Sequence, residues 1–454
     1  MTDTYSQLVN NGMGKTVATR LGLPRPATLR RYEQGQSLLE APAAVGTVAD
    51  GTSGQAARGI VVASGAEAVD ATPETTYAGK LGAVVLDATA AATIDDLEQL
   101  RAILAPAVKA LGKNGRVVIL GTTPAEIDDV ERAAVQQGLE GIMRSIGKEL
   151  RAGGTANLLW LDGDAQGDAA LLAAPLRFLL SSRSAYVSGQ PLRVRSAQVS
   201  EADDWTRPYV GQTVVVTGAA RGIGAAIAKV YARAGAHVIA VDIPAAGEAL
   251  ATVANEIGGT ALQLDITAAD AGRRIADAVA QRAEALDVIV HNAGITRDKL
   301  FVNTDADRWG SVLDVNLRAE MRIDDVLLDP SVKGGLRDGG RIVSVASTSG
   351  IGGNRGQANY AASKAGVMGM VRRLGEQLRD RQITVNAVAP GFIETEMTSK
   401  IPFATREVGR RINSLMQGGQ PVDVGETIAF LSEPGSAGVT GQVLRVCGQS
   451  QLGA

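Results

Sequence analysis

Ser347, Tyr360 and Lys364 place a hydroxyl, a phenol and an ammonium group within one short stretch of the chain. Ser347 follows the apolar run 341–346, which predicts a buried strand. Tyr360 and Lys364 open an apolar-periodic segment after a glycine-rich loop. Residues four apart share one face of a helix, so the phenol and the ammonium would point the same way. A nearby cation lowers the pKa of a tyrosine from its usual value of about 10. The stretch therefore predicts proton transfer to a carbonyl oxygen.

A glycine-rich turn elsewhere in the chain favours this interpretation over an ordinary helix start with an exposed lysine. The predicted strand 213–217 runs into that turn and then into an alanine-rich helix. Glycines let the backbone approach a pyrophosphate, and a helix N-terminus supplies free N–H groups and the positive end of its dipole. This pattern predicts a dinucleotide site. The residues predicted to hold the phosphates are Gly218, Arg221, Gly222, Ile223 and Gly224.

The next two predicted strands end in acidic residues. Asp242 ends the strand 237–241, about 20 residues beyond the glycines, where a carboxylate binds both ribose hydroxyls of NAD and repels the 2′-phosphate of NADP. Arg221 could instead pair with that phosphate, so NADPH stays open as the less favoured cofactor beside NADH. The strand 261–264 ends in Asp265 and Ile266, at the position expected to meet an adenine.

Two further segments contain residues predicted to serve the same site. The fourth strand, 287–290, runs into Asn292, Ala293 and Gly294, which we predict to contact the cofactor. Asn316 lies inside a long amphipathic pattern that predicts a helix. Asn is a poor helix former, so its position indicates either a local distortion or a function.

Composition limits the classes of protein to which the chain can belong. Its 454 residues point to two or three domains, and 45% hydrophobic residues with 54 glycines favour an α/β enzyme. A net charge of −3 gives no indication of nucleic-acid binding. With Cys447 as the single cysteine and only two histidines, a His/Cys metal site and a Ser-His-Asp hydrolase are poorly supported. We expect no signal peptide and no membrane span, and hence a cytoplasmic protein.

The first half of the chain also alternates predicted strands and helices, which indicates a parallel sheet with crossover helices. No glycine-rich phosphate loop follows its first strand, and we expect the first forty residues to be irregular. The strands are predicted at 59–63, 83–86 and 116–120, and the helices at 95–111 and 128–150.

Four segments of the first half recur in the same order in the second half, among them 115–123, which is similar to 340–348. We interpret this as an ancient duplication; independent evolution of two generic α/β patterns is the alternative. At the local offsets, Thr122, Arg132 and Gln136 stand where Ser347, Tyr360 and Lys364 stand, so the acid-base pair is missing.

We therefore predict two doubly wound parallel-sheet domains of the Rossmann type. Residues 1–205 would form a degenerate domain without the cofactor fingerprint, acting as a non-catalytic structural or interaction module. Residues 210–454 would form the catalytic domain. The polar, acidic stretch 200–209 is the predicted linker.

From about Gly211 to its end, the chain resembles the short-chain dehydrogenase/reductase family over essentially the whole length. The motifs are TGAARGIG, Asn-Ala-Gly at 292–294, Asn316, Ser347, the Tyr360-x-x-x-Lys364 pair and Pro-Gly at 390–391. Within that family, segments 357–366, 385–397 and 440–448 are most similar to the β-ketoacyl-acyl carrier protein reductases. A chain of this length with a degenerate first half resembles the high-molecular-weight, two-domain reductases of that group found in actinobacteria.

The resemblance implies a role for each residue of the site. Tyr360 donates a proton to the substrate carbonyl, and Lys364 lowers the pKa of Tyr360 and holds the nicotinamide ribose. Ser347 hydrogen-bonds the carbonyl and stabilises the developing oxyanion. Asn316 anchors a water that extends the proton relay. Ile393 would meet the nicotinamide carboxamide through its backbone.

The resemblance also implies a substrate and partners. The expected reaction is the NADH-dependent reduction of a 3-oxoacyl thioester, borne by acyl carrier protein or coenzyme A, in fatty acid metabolism. Arg381 matches a carrier-binding position of the family, and Arg337 is a rough match. A reductase for another ketone, such as a steroid or a small carbonyl compound, is the alternative. Reductases of this group pair through the helices that carry the Tyr and Lys, and the segment 132–150 is the pseudo-copy of that element. We expect it to occupy the partner's place against the helix 360–378, so that one chain mimics a dimer and a homodimer of chains mimics the usual tetramer.

Overall fold

The computed structural model describes residues 4–21, 25–200, 202, 204–399 and 401–450. The chain forms two compact units, and the first extends to Ala197. It also contains Phe392–Gly419 and a C-terminal segment that begins at Val446. The prediction assigned both segments to the catalytic domain. They belong with the first unit because their backbones bond to Tyr186, whose hydroxyl donates to the Gln417 carbonyl at 2.7 Å.

The first unit is built on a six-stranded sheet. Its strands are β1 (Ala43–Thr47), β2 (Ala68–Asp70), β3 (Leu81–Asp87), β4 (Leu111–Thr122), β5 (Thr155–Leu161) and β6 (Pro191–Val194). The order across the sheet is β2-β1-β3-β4-β5-β6, and every neighbouring pair is parallel. The helices are α1 (Thr4–Asn10), α2 (Gly12–Arg20), α3 (Ser53–Ala63), α4 (Ile94–Ala110), α5 (Val130–Glu149) and α6 (Ala169–Leu180).

Most predicted elements of this unit are confirmed, and two expectations are wrong, namely a strand at 59–63 and an irregular course for the first forty residues. The predicted strands 83–86 and 116–120 lie in β3 and β4, and the two predicted helices are α4 and α5. The segment 59–63 is the end of α3, because its buried residues Ala57, Ile60 and Val61 recur at helical spacing. Strand β1 was not predicted, and the first forty residues include α1 and α2.

The second unit is built on a seven-stranded sheet. Its strands are β7 (Thr213–Thr217), β8 (His237–Asp242), β9 (Thr260–Gln263), β10 (Leu286–His291), β11 (Leu336–Val345), β12 (Thr384–Pro390) and β13 (Val443–Val446). The order is β13-β12-β11-β10-β7-β8-β9, and the pairs from β12 to β9 are parallel. The chain runs outward from β7 to β9 and then returns to β10, so the strand order reverses between β7 and β10. Ligands of such sheets bind outside the carboxyl ends of the strands at that reversal.

The helices that follow β7 in the chain belong to the second unit, except for two that lie between β12 and β13 and belong to the first unit. The helices after β7 are α7 (Gly222–Arg233), α8 (Gly247–Ile257), α9 (Ala271–Ala280), α10 (Ala306–Leu313), α11 (Ala319–Leu327), α12 (Ser349–Gly352), α13 (Ala358–Gln377), α14 (Glu396–Ser399), α15 (Phe403–Arg411) and α16 (Pro421–Ser432). Helices α14 and α15 lie in Phe392–Gly419. A core of strand residues such as Val215, Ile289 and Ile342 fixes the strand ends against α9, α11 and α13. No helix in the described ranges is long and apolar enough to span a membrane.

Candidate active site

The structure brings Tyr360 and Lys364 together on the first turns of α13. The Lys364 ammonium lies 5.9 Å from the centroid of the Tyr360 ring. It donates to the Val345 carbonyl at 2.6 Å, at the end of β11, and its side chain is buried. Ser347 stands two residues beyond that strand, and its hydroxyl accepts from the Ser349 N–H at 3.1 Å. A strand end and a helix start thus supply the three groups, as the sequence predicts.

A buried asparagine fixes the beginning of α13. The Asn359 amide donates to the carbonyls of Arg297 and Arg308, at 3.1 and 3.2 Å. Its Oδ1 accepts from the Tyr360 N–H at 2.8 Å. These bonds tie the residue before Tyr360 to the backbone of the loop at Arg297 and to the backbone of α10 at Arg308. The sequence analysis missed Asn359, although it adjoins the predicted proton donor.

Asn316 lies in a π-helical turn, Asp314–Arg318, between α10 and α11. Single π-helical turns mark distorted helices and often occur at functional sites, so the expected distortion is confirmed. The Asn316 Oδ1 accepts from the Ile295 N–H at 2.8 Å, and its amide donates to the Ile295 carbonyl and to the Ser363 hydroxyl. It therefore ties the loop after β10 to the catalytic helix. The predicted contact of Asn316 with a water stays a prediction.

The glycine-rich turn precedes α7, as predicted. Gly218 has a φ of +66° and Gly222 a φ of +58°, a left-handed conformation that favours glycine. A Cβ at Gly224 would lie 2.0 Å from the Gly218 carbonyl oxygen, so a side chain there has no room. The Asn292 amide supports the turn by donating to the carbonyls of Thr217 and Gly218, at 3.0 and 3.1 Å.

The other predicted phosphate and adenine residues stand at the carboxyl edge of the same sheet. Arg221 is exposed immediately before α7, and Ile223 is half-buried on the first turn of that helix. Asp265 is exposed one residue before the buried Ile266. Ala293 follows Asn292, and its N–H donates to the Thr217 hydroxyl at 3.1 Å. The start of α7, directly after the glycine-rich turn, suits a pyrophosphate, because a helix N-terminus presents N–H groups and the positive end of its dipole.

Asp242 ends β8 beside the glycine-rich turn. Its Oδ2 accepts from the Ala220 N–H at 2.9 Å, and its Oδ1 accepts from the Ile243 N–H at 2.8 Å. These bonds fix the carboxylate directly at the turn. The position suits a carboxylate that meets ribose hydroxyls.

Ile393 lies in the segment Phe392–Gly419, which belongs to the first unit. It is buried and forms an isolated bridge with Gly419. Its carbonyl accepts from the Thr398 hydroxyl at 2.8 Å. Its contact with a nicotinamide stays a prediction.

In the first unit, the positions that correspond to the active-site residues of the second unit are bonded to polar groups of the first unit itself. Gln136, at the position of Lys364, is fully buried and accepts from the Thr122 N–H at 2.8 Å. Its amide donates to the carbonyls of Ala88 and Ala91, each at 2.8 Å. No acid-base group stands there.

The helix N-terminus of the first unit is also occupied. Asp87 ends β3 at the position that Asn292 holds in the second half, and its Oδ2 accepts from the Gly54 N–H at 2.7 Å. Its other oxygen accepts from the N–H and the hydroxyl of Thr89. The protein's own carboxylate therefore sits at the start of α3, where the second unit presents free N–H groups. This arrangement agrees with a degenerate domain.

A second buried polar group, which the sequence analysis missed, adjoins Lys364. His291 ends β10, and its Nε2 lies 2.8 Å from the Asp324 Oδ1. Burial alone would lower the pKa of His291, but the facing carboxylate of Asp324 outweighs it and raises that pKa. Burial raises the pKa of Glu320 to about 7. The spacing of Asn316, Glu320 and Asp324 along one predicted helix was the available signal.

No group of three or more His, Cys, Asp or Glu side chains that could hold a metal ion occurs among the described residues. The lone Cys447 is buried and free. The geometry of Ser347, Tyr360 and Lys364 suggests proton transfer beside a dinucleotide site.

Comparisons with known proteins agree with this arrangement. A family model described as "Enoyl-(Acyl carrier protein) reductase" matches residues 218–448. The chain is 41% identical over 243 residues to the 3-oxoacyl-[acyl-carrier-protein] reductase FabG of Thermotoga maritima. The matched region covers 52% of this chain and 97% of that protein. It is 40% identical over 241 residues to the protein of the same name from Pseudomonas aeruginosa, covering 52% and 96%.

A third relative, Nodulation protein G of a Rhizobium species, is 40% identical over 243 residues and covers 52% of this chain and 96% of its own. Each of these relatives is matched over nearly its full length by about half of this chain.

Proposed function

Because the chain belongs to the short-chain dehydrogenase/reductase family, we propose that it reduces 3-oxoacyl thioesters to 3-hydroxyacyl thioesters with NADH. The chain is an oxidoreductase, and fatty acid biosynthesis is the process to which its relatives point. One observation carries the proposal. The Lys364 ammonium is fixed beside the Tyr360 phenol, at the carboxyl edge of a sheet with a glycine-rich turn at its reversal point.

Tyr360, Lys364 and Ser347 each have a different role in the reduction of the substrate carbonyl. When bound, the nicotinamide cofactor supplies the hydride. The Tyr360 phenol gives its proton to the carbonyl oxygen, and the Ser347 hydroxyl donates a hydrogen bond to that oxygen as negative charge develops. The positive charge of Lys364 favours the tyrosinate that remains. Because the ammonium is held by the Val345 carbonyl, its position does not depend on the substrate.

The residues around the glycine-rich turn fit a dinucleotide. The turn leaves no room for a Cβ at Gly224, so the backbone is bare where a pyrophosphate would lie. The Asp242 carboxylate, bonded to the turn, favours ribose hydroxyls and hence NADH. NADPH is the second candidate, supported by the exposed guanidinium of Arg221.

Acyl carrier protein and coenzyme A are both proposed as carriers of the thioester. The two basic residues suggested for the carrier protein already have acidic neighbours. Arg381 bonds to Asp338 at 2.7 Å, and Arg337 pairs with Asp287 at 2.9 Å. Carrier binding through these arginines would have to compete with those pairs. We further propose a homodimer in the cytoplasm, for which sedimentation equilibrium and cell fractionation are the tests.

Two other substrate classes are alternatives. A steroid or a small ketone would use the same proton donor, since only the carbonyl is required of the substrate. An enoyl thioester is the other alternative substrate, because the matching family model is described as an enoyl reductase. Rates with acetoacetyl-coenzyme A, crotonyl-coenzyme A, a steroid ketone and a small ketone separate these classes.

The test of the proposed function is steady-state oxidation of NADH and of NADPH with acetoacetyl-coenzyme A. We expect turnover with NADH and, in Tyr360→Phe, a loss of about 10²- to 10⁴-fold, as for the removal of a general acid. Phe keeps the ring and removes only the hydroxyl. Turnover unchanged by this substitution would contradict Tyr360 as the donor. Reduction of ketones but not of thioesters would contradict the proposal that the substrate is a thioester.

A further inference from the structure

A stripe of polar side chains runs along the buried face of the π-helical turn Asp314–Arg318 and of α11, which follows it. Asn316, Glu320 and Asp324 follow one another at intervals of four residues. They are 0%, 1% and 2% exposed. A helix that faces a sheet normally presents apolar residues there. This face therefore departs from the pattern that packing alone would produce.

Two strands of the sheet also carry buried polar residues beside this stripe. His291 of β10 and Ser344 of β11 are paired in register, and both are buried. His291 lies 2.8 Å from Asp324. Ser344 immediately precedes Val345, whose carbonyl accepts the Lys364 ammonium at 2.6 Å. The buried polar groups thus extend from Asp324 to the strand end at which the Lys364 ammonium is bound.

Several atoms of this cluster lack hydrogen-bond partners among the residues that the structure describes. They are the Nδ1 of His291, both carboxyl oxygens of Glu320, the Oδ2 of Asp324 and the hydroxyl of Ser344. Native proteins leave few buried polar atoms unpaired, because each costs free energy. Such a cluster beside a catalytic lysine indicates a functional reason for keeping a buried acid.

The charges that face Glu320 come from three elements. Burial raises the pKa of Glu320 to about 7, while His291 of β10 and Lys364 of α13 act to lower it. Asp324, on the same helix, raises it further. Glu320 is thus a buried acid whose pKa depends on charges carried by β10, α13 and its own helix.

Other charges near α11 lie on the surface and pair there. Arg273 and Asp277 of α9 pair with each other, and each is more than half exposed. Asp314 pairs with Arg318 and Arg322 on the exposed side of the α10–α11 segment. Solvent screens these exposed pairs, whereas charges in the buried cluster are screened much less.

We propose that Glu320 is a positioning residue that acts through Lys364 and sets how tightly Tyr360 holds its proton. The inference rests on the proposed function of that pair. An ionised Glu320 offsets part of the positive charge that Lys364 exerts on the phenol. Tyr360 then keeps its proton to higher pH and stays competent as a donor. A neutral residue at position 320 removes this offset, so Tyr360 loses its proton at lower pH.

The test is the pH dependence of kcat/KM for acetoacetyl-coenzyme A reduction in wild type and Glu320→Gln. Gln preserves the size of the side chain and removes its charge. We expect the alkaline limb to move to lower pH by about one unit, as for unit charges roughly 10 Å apart at an effective dielectric constant of about 20. The matched control is Glu426→Gln, since Glu426 is a buried carboxylate of the same unit paired with Arg233. Its profile should match wild type.

Alkaline limbs that coincide in wild type and folded Glu320→Gln overturn the proposal. A purely structural role for Glu320 would change the melting temperature but not the pH profile. If Glu320→Gln does not fold, Glu320→Met, an uncharged side chain of similar volume, takes its place in the same comparison. Ultraviolet titration of the Tyr360 phenol, read as the difference between each protein and its Tyr360→Phe counterpart, needs no turnover and so separates this inference from a failure of the proposed function. A phenol that ionises at lower pH in the uncharged variant supports the proposal, and phenols that ionise at the same pH in both proteins overturn it.

Discussion

At the scale of single residues, Lys364 and Asp242 are both oriented by the backbone. The Lys364 ammonium bonds to a strand carbonyl, and the Asp242 carboxylate bonds to two N–H groups at the glycine-rich turn. A side chain fixed in this way is pre-organised for its ligand and loses little freedom on binding. We therefore expect the choice between NADH and NADPH to depend on the charge that Asp242 presents.

Asp242→Asn tests that dependence. The amide oxygen can still accept from the Ala220 N–H, while the negative charge is removed. We expect the ratio of kcat/KM for NADPH to that for NADH to rise by about tenfold or more, because repulsion of a 2′-phosphate is relieved. Asp277→Asn removes an exposed charge on α9 and should leave the ratio unchanged. An unchanged ratio in Asp242→Asn would remove Asp242 as the determinant of cofactor choice.

Residue chemistry could be predicted where the partners are close in sequence or follow predicted strand ends. Tyr360 and Lys364 are four residues apart, and Ser347 ends an evident strand. The spacing of Glu320 and Asp324 along one helix was visible in the sequence, but the contact of Asp324 with His291 was not, because it depends on which strand faces that helix. The bond between His291 and Asp324 joins residues 33 positions apart on different elements. Sequence spacing carries no direct signal for such a contact.

At the scale of elements, the turn between β7 and α7 is the most constrained part of the candidate site. The two closest atoms to a Cβ at Gly224 would be the Gly218 carbonyl oxygen at 2.0 Å and the Asn292 amide nitrogen at 2.6 Å. Neither atom can move freely, since the amide itself bonds to the Gly218 carbonyl. The turn and the end of β10 must therefore move together if a side chain enters.

Gly224→Ala should accordingly weaken cofactor binding and stability together. We expect the Kd for NADH to rise by about tenfold or more and the free energy of unfolding to fall by about 2 kcal/mol. Calorimetric titration and urea unfolding are the measurements. Gly310→Ala is the control, because that glycine lies in α10 with no atom within 4 Å of an added Cβ. It should be neutral or slightly stabilising. Unimpaired binding in Gly224→Ala would show that the turn does not hold the cofactor.

Strands and helices were predictable where their periodic pattern was long. Helix α5 spans 20 residues and was predicted to within two residues at its start. The run 59–63 is short and apolar, and such runs do not distinguish a buried strand from the end of a helix. Strand β1, with the sequence AAVGT, offers small residues and no alternation, so nothing local marks it.

At the scale of the whole molecule, the two sheets share one strand order. Read from the same edge, β6-β5-β4-β3-β1-β2 of the first unit corresponds to β13-β12-β11-β10-β7-β8 of the second, which adds β9 beyond β8. The shared order supports the duplication inferred from the repeated segments. The first copy lacks the strand that in the second copy precedes the predicted adenine residues, Asp265 and Ile266.

This comparison predicts one cofactor site per chain rather than two. In the first unit, the Asp87 carboxylate occupies the N-terminus of α3 and would repel a phosphate, and Gln136 replaces the lysine. Calorimetric titration of the full chain with NADH should therefore give a stoichiometry of one. The same titration of Gly224→Ala identifies the site, because weakened binding at that single site places it in the second unit. A second equivalent of NADH, or one equivalent that Gly224→Ala leaves intact, would mean that the first unit binds the cofactor despite its internal carboxylate.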